Sequence, residues 1–355
     1  MSRRKQILGL ALLVGLMALT GFLLLRDQPV ATLLETLSRI HPGYVLAGLG
    51  LMVLYEGCEA MSTRLILGRL GYNVPYRRCL GYSFVGFYVS SITPSSSGGQ
   101  PAQIYYMARD GIAAAHGTLN MLLLAVCYQV TLLLYAGTAW LALPGLRAAL
   151  GLGMGALLLL GGGVLTVLTA GMLCFLFLPG LARRLAEGVL NLLSRVGLIR
   201  DRAGAGEQLA RQMAEYAAGA ACLRANPGLL PKLLGLTALQ LSVQFAVPYL
   251  VYCAFGLEGH ALPLFLGTQA VVTLAVCSLP LPGSVGPAEG GFLTAFTPLF
   301  GAALATPAML VSRGISFYAF LLVSACVTLA VHLRGRGRAA HAAPFLSPAR
   351  PVPSR

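Results

Sequence analysis

The sequence predicts an all-α integral membrane protein with about six full transmembrane helices and two opposed re-entrant hairpins, each a broken helix. Hydrophobic residues make up 57% of the 355 residues and charged residues only 10%, whereas a soluble domain carries roughly 25% charged residues. Apolar runs longer than about 18 residues, enough to cross a bilayer, recur along the chain. Prolines and glycines interrupt two further apolar stretches, which cannot be continuous helices. These observations exclude a soluble enzyme, a secreted disulfide scaffold and a disordered protein.

The full crossings are predicted from uninterrupted apolar runs, which can span a hydrocarbon core of about 30 Å. They lie at about 7–25, 43–63, 117–142, 148–178, 231–255 and 304–332. The first crossing follows the basic segment Ser2-Arg3-Arg4-Lys5, and no small-residue cleavage site comes after it. We therefore expect a retained anchor rather than a signal peptide.

The crossings and the hairpins, at 79–110 and 262–300, are predicted to form one domain over 1–338, followed by a disordered tail at 339–355. A cytoplasmic insert is predicted at 181–225. Its apolar residues Leu181, Leu185, Val189, Leu192 and Leu193 recur at helical spacing. This pattern favours an amphipathic helix in the membrane interface, with a helix that covers the bundle as the alternative.

The basic residues predict the orientation of the chain, whose formal net charge is +14. If both hairpins are re-entrant, most of the 25 Lys and Arg residues fall on the side of the two termini, and only Arg26, Arg39 and Arg147 fall on the other. The positive-inside rule then makes both termini cytoplasmic in a multi-pass protein of the cell membrane. We expect the positive charge to contact anionic lipids and not nucleic acid.

The two interruptions occupy corresponding positions in the two halves of the chain. The first is predicted to be broken by Pro94 and Pro101, and the second by Pro280, Pro282, Gly283 and Gly286. In the topology above they enter the membrane from opposite faces, as in inverted-repeat transporters. The sequence therefore predicts an inverted repeat with its binding site where the breaks lie.

The residues at the breaks suggest an anion site, because a helix that starts inside a membrane presents unpaired N–H groups and a positive dipole end. Gln103 adds an amide near the first break. The predicted residues for a lipid headgroup or phosphate are Thr93, Ser95, Ser96, Ser97, Gly98, Gly99, Gln100, Ser284, Glu289 and Arg313.

Ionisable residues inside the predicted spans are the second indication of a site, because they are costly in a bilayer. Glu56, Glu59 and Glu289 are predicted to receive a cationic headgroup, which would fit a zwitterionic or aminoacylated phospholipid. For Glu56 and Glu59 the alternative is an ion pair or snorkelling toward Arg64. Arg313 requires an anionic partner, either Glu289 or a lipid phosphate, and a purely structural Glu289–Arg313 pair is the alternative.

No motif predicts a cofactor or a metal site. The eight cysteines are scattered singly, and there is no CxxC pair or Cys/His cluster. The chain contains neither a P-loop nor a dinucleotide fingerprint, which argues against transport driven by ATP within this chain.

Two motifs resemble the signatures of a known family. The segment Ser91-Ile92-Thr93-Pro94-Ser95-Ser96-Ser97-Gly98-Gly99-Gln100-Pro101 resembles the signature TPxxxGGxP of the flippase-like transmembrane family. This family is the membrane region of lysylphosphatidylglycerol synthase/flippase proteins (multiple peptide resistance factor). The segment Pro280-Leu281-Pro282-Gly283-Ser284-Val285-Gly286-Pro287-Ala288-Glu289-Gly290 resembles its second signature, roughly PxPGGxGxxEG, and Arg313 matches the Arg that follows. The resemblance covers about 5–335.

The resemblance implies a flippase that moves aminoacylated phosphatidylglycerol from the inner to the outer leaflet and so confers resistance to cationic antimicrobial peptides. The family's lipid-synthesising domain is missing from this chain, so no lysyltransferase activity is expected of it. Implied partners are the phospholipids themselves, a separate lipid aminoacyltransferase and a second copy of the chain in a homodimer.

Two other functions stay open at the level of sequence. A membrane enzyme acting on a lipid phosphate, similar to undecaprenyl-pyrophosphate phosphatases, would also use opposed hairpins, but it should place an Arg or a His beside the hairpin Ser. A secondary transporter of a small solute would show uptake coupled to a gradient, without an effect on lipid asymmetry.

Overall fold

A computed structural model describes residues 41–339, apart from 94–95, 179, 278, 280 and most of 181–201. The described residues are almost entirely helical and include no β-strand. The helices are α1 Pro42–Arg69, α2 Tyr76–Ser91, α3 Gly99–Arg109, α4 Ala114–Ala142, α5 Pro144–Phe177, α6 Arg202–Arg224, α7 Leu229–Phe245, α8 Val247–Ala254, α9 Leu262–Val276, α10 Pro287–Phe300, α11 Ala302–Arg313 and α12 Phe320–Ala339. A single 3-10 turn, Pro282–Ser284, precedes α10, and a π-helical turn, Gly314–Ala319, joins α11 to α12.

Five helical segments within the described residues are long and apolar enough to cross a membrane. They are Pro42–Arg69, Ala114–Ala142, Gly153–Leu176, Leu229–Ala254 and Ala302–Leu333. The five crossings predicted from 43–63 onward are confirmed as such segments, and the protein is a multi-pass membrane protein. The predicted crossing at 7–25 lies outside the described residues, as does nearly all of the predicted tail.

The two stretches with Pro/Gly breaks are pairs of short helices. The longest of the four, α2, has 16 residues, about 24 Å at 1.5 Å per residue, so none spans a core of about 30 Å alone. The helices α2 and α3 are separated by residues 92–98, and α9 and α10 by residues 277–286. The expectation that neither stretch is one continuous helix is confirmed.

Two of the crossings are also irregular. The crossing predicted at 231–255 is divided into α7 and α8 at Ala246, two residues before Pro248, which has no N–H to continue the helical ladder. The last crossing changes from α-helix to a π-helical turn directly after Arg313. Single π-helical turns inside α-helices are often found at functional sites.

The order of helices in the first half recurs in the second. A long helix is followed by a broken pair and another long helix: α1, α2 with α3, and α4, and then α7 with α8, α9 with α10, and α11 continuing into α12. The halves are intertwined, because α1 packs against α7, α9 packs against α4 and α5, and α2 packs against α12.

One end of the bundle, which we call the basic end, gathers helix ends that carry Arg69, Arg77, Arg78, Arg109, Arg224 and Lys232. Two Tyr–His pairs connect helices there, since Tyr72 Oη lies 2.9 Å from His116 Nδ1 and Tyr106 Oη lies 3.0 Å from His332 Nδ1. Asp110 accepts a hydrogen bond from Tyr82. The end is therefore held together by polar contacts between α2, α3, α4 and α12.

The second half of the predicted insert forms α6, which packs on α4. Tyr216 is fully buried, and its hydroxyl donates to the carbonyl of Phe175 at 3.2 Å. Residues 202–224 thus form a helix that packs against the bundle. The apolar residues from Leu181 to Leu193 on which the amphipathic prediction rested lie outside the described residues.

Candidate functional site

The break between α9 and α10 is a tight turn in the left-handed region. Gly283 has φ 59°, Ser284 has φ 51° and Gly286 has φ 95°. A Cβ atom on Gly283 would lie 2.1 Å from Cζ of Phe317, so only glycine fits. Ser284 holds a positive φ despite its side chain, at a cost of about 1–3 kcal/mol that the surrounding contacts must offset. Pro282 is buried in this turn, whereas Pro280 lies outside the described residues.

An ion pair ties this break to the last crossing. Arg313 Nε donates to Glu289 Oε1 at 2.8 Å, and Arg313 Nη2 donates to the carbonyl of Gly283 at 3.1 Å. Glu289 Oε1 also accepts from the Tyr318 hydroxyl at 3.0 Å, and its Oε2 accepts from the backbone N–H of Gly286 at 2.7 Å. Glu289 is therefore both the counterion of Arg313 and the cap of α10. A cationic headgroup would have to compete with Arg313 for this carboxylate.

Arg313 keeps hydrogen-bonding capacity beyond this pair. Its guanidinium lies 4.5 Å from the centre of the Phe317 ring, and its side chain is 15% exposed. No described residue accepts a hydrogen bond from its Nη1, which can donate two. Arg–phosphate pairing needs such free N–H groups, so Arg313 can hold the break in shape and still bind an anion.

The break between α2 and α3 is closed by Thr93. The Thr93 hydroxyl donates to the carbonyl of Val89 at 2.8 Å and accepts from the N–H of Gly98 at 3.0 Å. Ser96 has φ 53°, which makes it the counterpart of Ser284 in the other break. A Cβ atom on Gly99 would lie 2.0 Å from Oγ of Ser90, so α2 and α3 approach each other closely at the start of α3.

The polar residues predicted around this first break separate into two groups. Thr93 is committed to the turn, whereas the side chains of Ser96, Ser97 and Gln100 are on its exposed surface. Gln103 does not join them, because its amide points away to Glu59. Pro94 and Ser95 lie outside the described residues, and Pro101 stands in the first turn of α3.

The two breaks meet inside the bundle. Ile92, next to the first break, and Val285, in the second, are both buried in one apolar cluster with Phe317 and Leu321 of the last crossing. The turn Pro282–Ser284 packs against α2. Residues almost two hundred positions apart in sequence therefore pack together, and Arg313 contacts the second of the two breaks.

Two apolar grooves flank the last crossing and α10. One, of about 460 Å³, is lined by Gly153, Met154, Leu157, Val276, Pro287, Gly290, Gly291 and Thr294. The other, of about 560 Å³, is lined by Pro42, Val45, Leu46, Leu310, Val311, Gly314, Ile315 and Ala319. Both contain residues directly beside the second break or Arg313, so apolar chains of a lipid could lie next to a headgroup held there.

Glu56 and Glu59 form a separate polar region on α1. Glu56 is 1% exposed, and Glu59 Oε1 accepts from Gln103 Nε2 at 3.0 Å. No Lys or Arg of the described residues pairs with either carboxylate, so the alternative of an ion pair with Arg64 is not seen among them. Among the described residues no hydrogen bond joins Glu56 or Glu59 to Glu289.

Several contacts at the site carried no signal in the sequence. Tyr318 reaches Glu289 because the π-helical turn shifts the residues after Arg313, and no local sequence pattern predicts that turn. Phe317 covers both Gly283 and the guanidinium of Arg313. The Tyr–His pairs of the basic end join residues 44 and 226 positions apart, so only the folded structure reveals them.

Comparison with known families agrees with these features. A family model described as the lysylphosphatidylglycerol synthase TM region matches residues 6–324, which include both breaks, Glu289 and Arg313. No curated protein matches the chain. The chain therefore belongs to the family of the lysylphosphatidylglycerol synthase transmembrane region.

Proposed function

We propose that this protein moves phospholipid, in particular aminoacylated (lysyl-) phosphatidylglycerol, from the inner to the outer leaflet of the bacterial cytoplasmic membrane. Family membership supports a role in membrane lipid metabolism. A cationic lipid delivered to the outer leaflet reduces its negative charge, which would give resistance to cationic antimicrobial peptides. The described chain contains an arginine with unused N–H donors and two apolar grooves. The arginine would bind the phosphate of the headgroup, and the grooves would accommodate the acyl chains.

The observation that carries this proposal is the packing of the two breaks in one apolar cluster, with Arg313 bound to the second break. Backbone that is not helical is tolerated at membrane depth only against protein or a water-filled cavity. Here Ile92 and Val285 bring two such segments together, next to a guanidinium with unused donors. We propose that the lipid phosphate binds to Nη1 of Arg313 and to the hydroxyls of Ser284, Ser96 and Ser97.

The proposed topology places both broken helix pairs as re-entrant hairpins of an inverted repeat, entering from opposite faces. Four helices too short to span the membrane support this arrangement, as does the recurrence of the helix order in the two halves. The clustering of Arg and Lys at the basic end supports a cytoplasmic location of that end and of both termini.

We further propose that the chain acts as a transporter within one domain, 1–338, without an enzymatic step and without a cofactor. A separate aminoacyltransferase would supply the lysyl lipid, and two copies of the chain would form a homodimer. The aminoacyltransferase is not needed in the test that follows, because the labelled lysyl lipid is supplied.

The proposal is tested by transbilayer movement of labelled lipids in proteoliposomes without nucleotide. We expect lysyl-phosphatidylglycerol to move faster than phosphatidylglycerol. Equal rates for both would indicate a general scramblase, and no movement of either by folded protein would contradict the proposal. The variant Arg313→Ala should move neither lipid.

One contact favours a second function, a lipid phosphatase. Such an enzyme should place an Arg or a His beside the hairpin Ser, and the sequence of neither hairpin tip has one. In the structure, however, Arg313 of the last crossing donates from Nη2 to the carbonyl of Gly283, the residue before Ser284, at 3.1 Å. Release of inorganic phosphate from a polyprenyl pyrophosphate, lost in Ser284→Ala, would identify this activity. We expect no phosphate release.

A further inference from the structure

The acidic region on α1 has more hydrogen-bond acceptors than donors. Glu56 and Glu59 are three residues apart and share one face of the helix. Among the buried side-chain oxygens without a hydrogen bond in the described residues are Glu56 Oε2 on α1 and Gln103 Oε1 on α3. Because Gln103 Nε2 donates to Glu59, the Gln103 carbonyl oxygen is left needing a donor.

No cation of the described chain compensates the two carboxylates. Two negative charges without a counterion inside a bilayer cost several kcal/mol each. The titratable neighbours within electrostatic range are Tyr55 on α1 and Tyr128 on α4, and phenols are uncharged at neutral pH. The helices α2, α3 and α7 contribute the neutral side chains of Ser83, Gln103 and Gln240. The region therefore suits a group that supplies positive charge or a hydrogen-bond donor.

We propose that Glu56 and Glu59 together bind one small monovalent cation, a proton or a sodium ion, and that its binding and release drive the lipid movement proposed above. A proton supplies the missing O–H donor, and a sodium ion is ligated by carboxylate and amide oxygens of the kind left unpaired here. Solvent reaches only 1% of Glu56, so a small cation fits this site better than a lysyl headgroup. The proposal of cation binding does not depend on the proposed function, whereas the coupling to lipid movement rests on it.

Polar side chains lead from the pair toward the basic end. Thr63 is one helical turn beyond Glu59 on α1, and it lies 3.5 Å from Asn120 Nδ2 on α4. Ser62 Oγ and Asn120 Oδ1 are buried without a partner. From Glu56 to Thr63 the rise along the helix is about 10 Å. This row of side chains gives a proton or a sodium ion a route between the pair and the basic end.

Gln103 links the cation site to the first break. It lies on α3, one helical turn after Gly99, where that helix begins. A Cβ atom on Gly86 would lie 2.1 Å from Gln103 Nε2, so this glycine of α2 opens the passage through which Gln103 reaches Glu59. Loss or gain of a cation at Glu59 changes the hydrogen bond to Gln103 and thus the position of α3 relative to the break.

Cation binding is tested directly by infrared difference spectroscopy of the full chain in lipid. In sodium-free buffer at neutral pH we expect the carbonyl band of a buried protonated carboxylic acid. The band should be lost in Glu56→Gln/Glu59→Gln and retained in the control Glu258→Gln, whose residue is exposed in the loop between α8 and α9. Loss of the band on adding Na⁺ identifies sodium as a ligand, and its persistence in Na⁺ identifies the proton. Absence of the band in the wild-type protein, or its persistence in the double variant, overturns the proposal.

Coupling is tested with trace labelled lipid in proteoliposomes under an imposed pH gradient or, separately, a Na⁺ gradient. For one cation per lipid, a tenfold cation gradient supports up to about a tenfold difference in lipid between leaflets. We expect this asymmetry in the wild-type protein and in Glu258→Gln, and none in the double variant. Lipid movement that is unchanged by either gradient overturns the coupling but agrees with the proposed transport of lipid. Absence of any movement removes the lipid function and the coupling together, while the infrared result alone decides cation binding.

Discussion

At the scale of single residues, Arg313 combines a structural and a binding role. Its Nε and Nη2 fix Glu289 and the second break, whereas Nη1 has no acceptor among the described residues. Both oxygens of Glu289 accept hydrogen bonds, Oε1 from Arg313 and Tyr318 and Oε2 from the N–H of Gly286. The sequence identified both residues, but it could not decide between a structural pair and a transport site. In the structure Glu289 pairs with Arg313 and caps α10, which is why we propose Arg313 and not Glu289 as the ligand of the lipid phosphate.

A double-mutant cycle on this pair separates stability from transport. Glu289→Gln or Arg313→Gln alone leaves one buried charge unpaired, so each should lower the free energy of unfolding by about 3–5 kcal/mol. The double variant should lose less than the sum of the two single losses, by about 1–3 kcal/mol. Denaturation of the purified protein in detergent measures these values. Strictly additive losses would mean that the pair contributes no coupling energy.

In the same variants, lipid transport should depend on the presence of the Arg313 guanidinium and not on the stability of the protein. We expect the double variant to be more stable than the sum of the two single losses would predict and yet to move no lipid, because its guanidinium is gone. Lipid movement in the double variant at the wild-type rate would show that Arg313 is a structural residue only.

At the scale of elements, the two breaks depend on close backbone approaches that a single methyl group should disrupt. Gly283→Ala places Cβ against Phe317 at a position with positive φ, which should lower stability by about 1–3 kcal/mol. The matched control is Gly290→Ala in the first turns of α10, where a Cβ would meet nothing within 4 Å. The control should be neutral or slightly stabilising. Equal thermal stabilities of the two variants would contradict the described geometry of the break.

The pair α2–α3 gives a parallel test in the first half. Gly86→Ala should displace the Gln103 amide from Glu59 and lower stability by about 1–3 kcal/mol. Gly68→Ala, in α1 and facing open space, is the control and should gain up to about 1 kcal/mol of helix stability. A neutral Gly86→Ala would mean that Gln103 does not pass through this gap.

Long crossings and breaks were predictable from sequence, whereas the contacts between them were not. Apolar runs locate crossings because length and hydropathy are local properties, and Pro94, Pro101 and Pro282 mark breaks because proline has no N–H. The partner of Gln103 was not predictable, because that contact depends on a missing Cβ on another helix, at Gly86. The contact of Arg313 with Gly283 likewise depends on how the last crossing folds back.

At the scale of the whole molecule, the two halves are joined where their breaks meet. Ile92 and Val285 lie in one cluster against Phe317 and Leu321, so the structure closes the path between the breaks with apolar side chains. A headgroup that passes between the breaks must therefore separate this cluster. The proposed cation site acts on the same region from α1, through Gln103 and α3.

The most direct test of this account is lipid movement in a protein whose breaks are reversibly linked. Cysteines are placed at Ile92 and Val285 after replacement of the eight native cysteines, and a short reducible bifunctional reagent joins them. We expect linkage to stop the movement of labelled lysyl-phosphatidylglycerol in proteoliposomes and reduction to restore it in the same sample. Undiminished movement in the fully linked protein would contradict the account, because the lipid would then cross by a route that does not pass between the breaks.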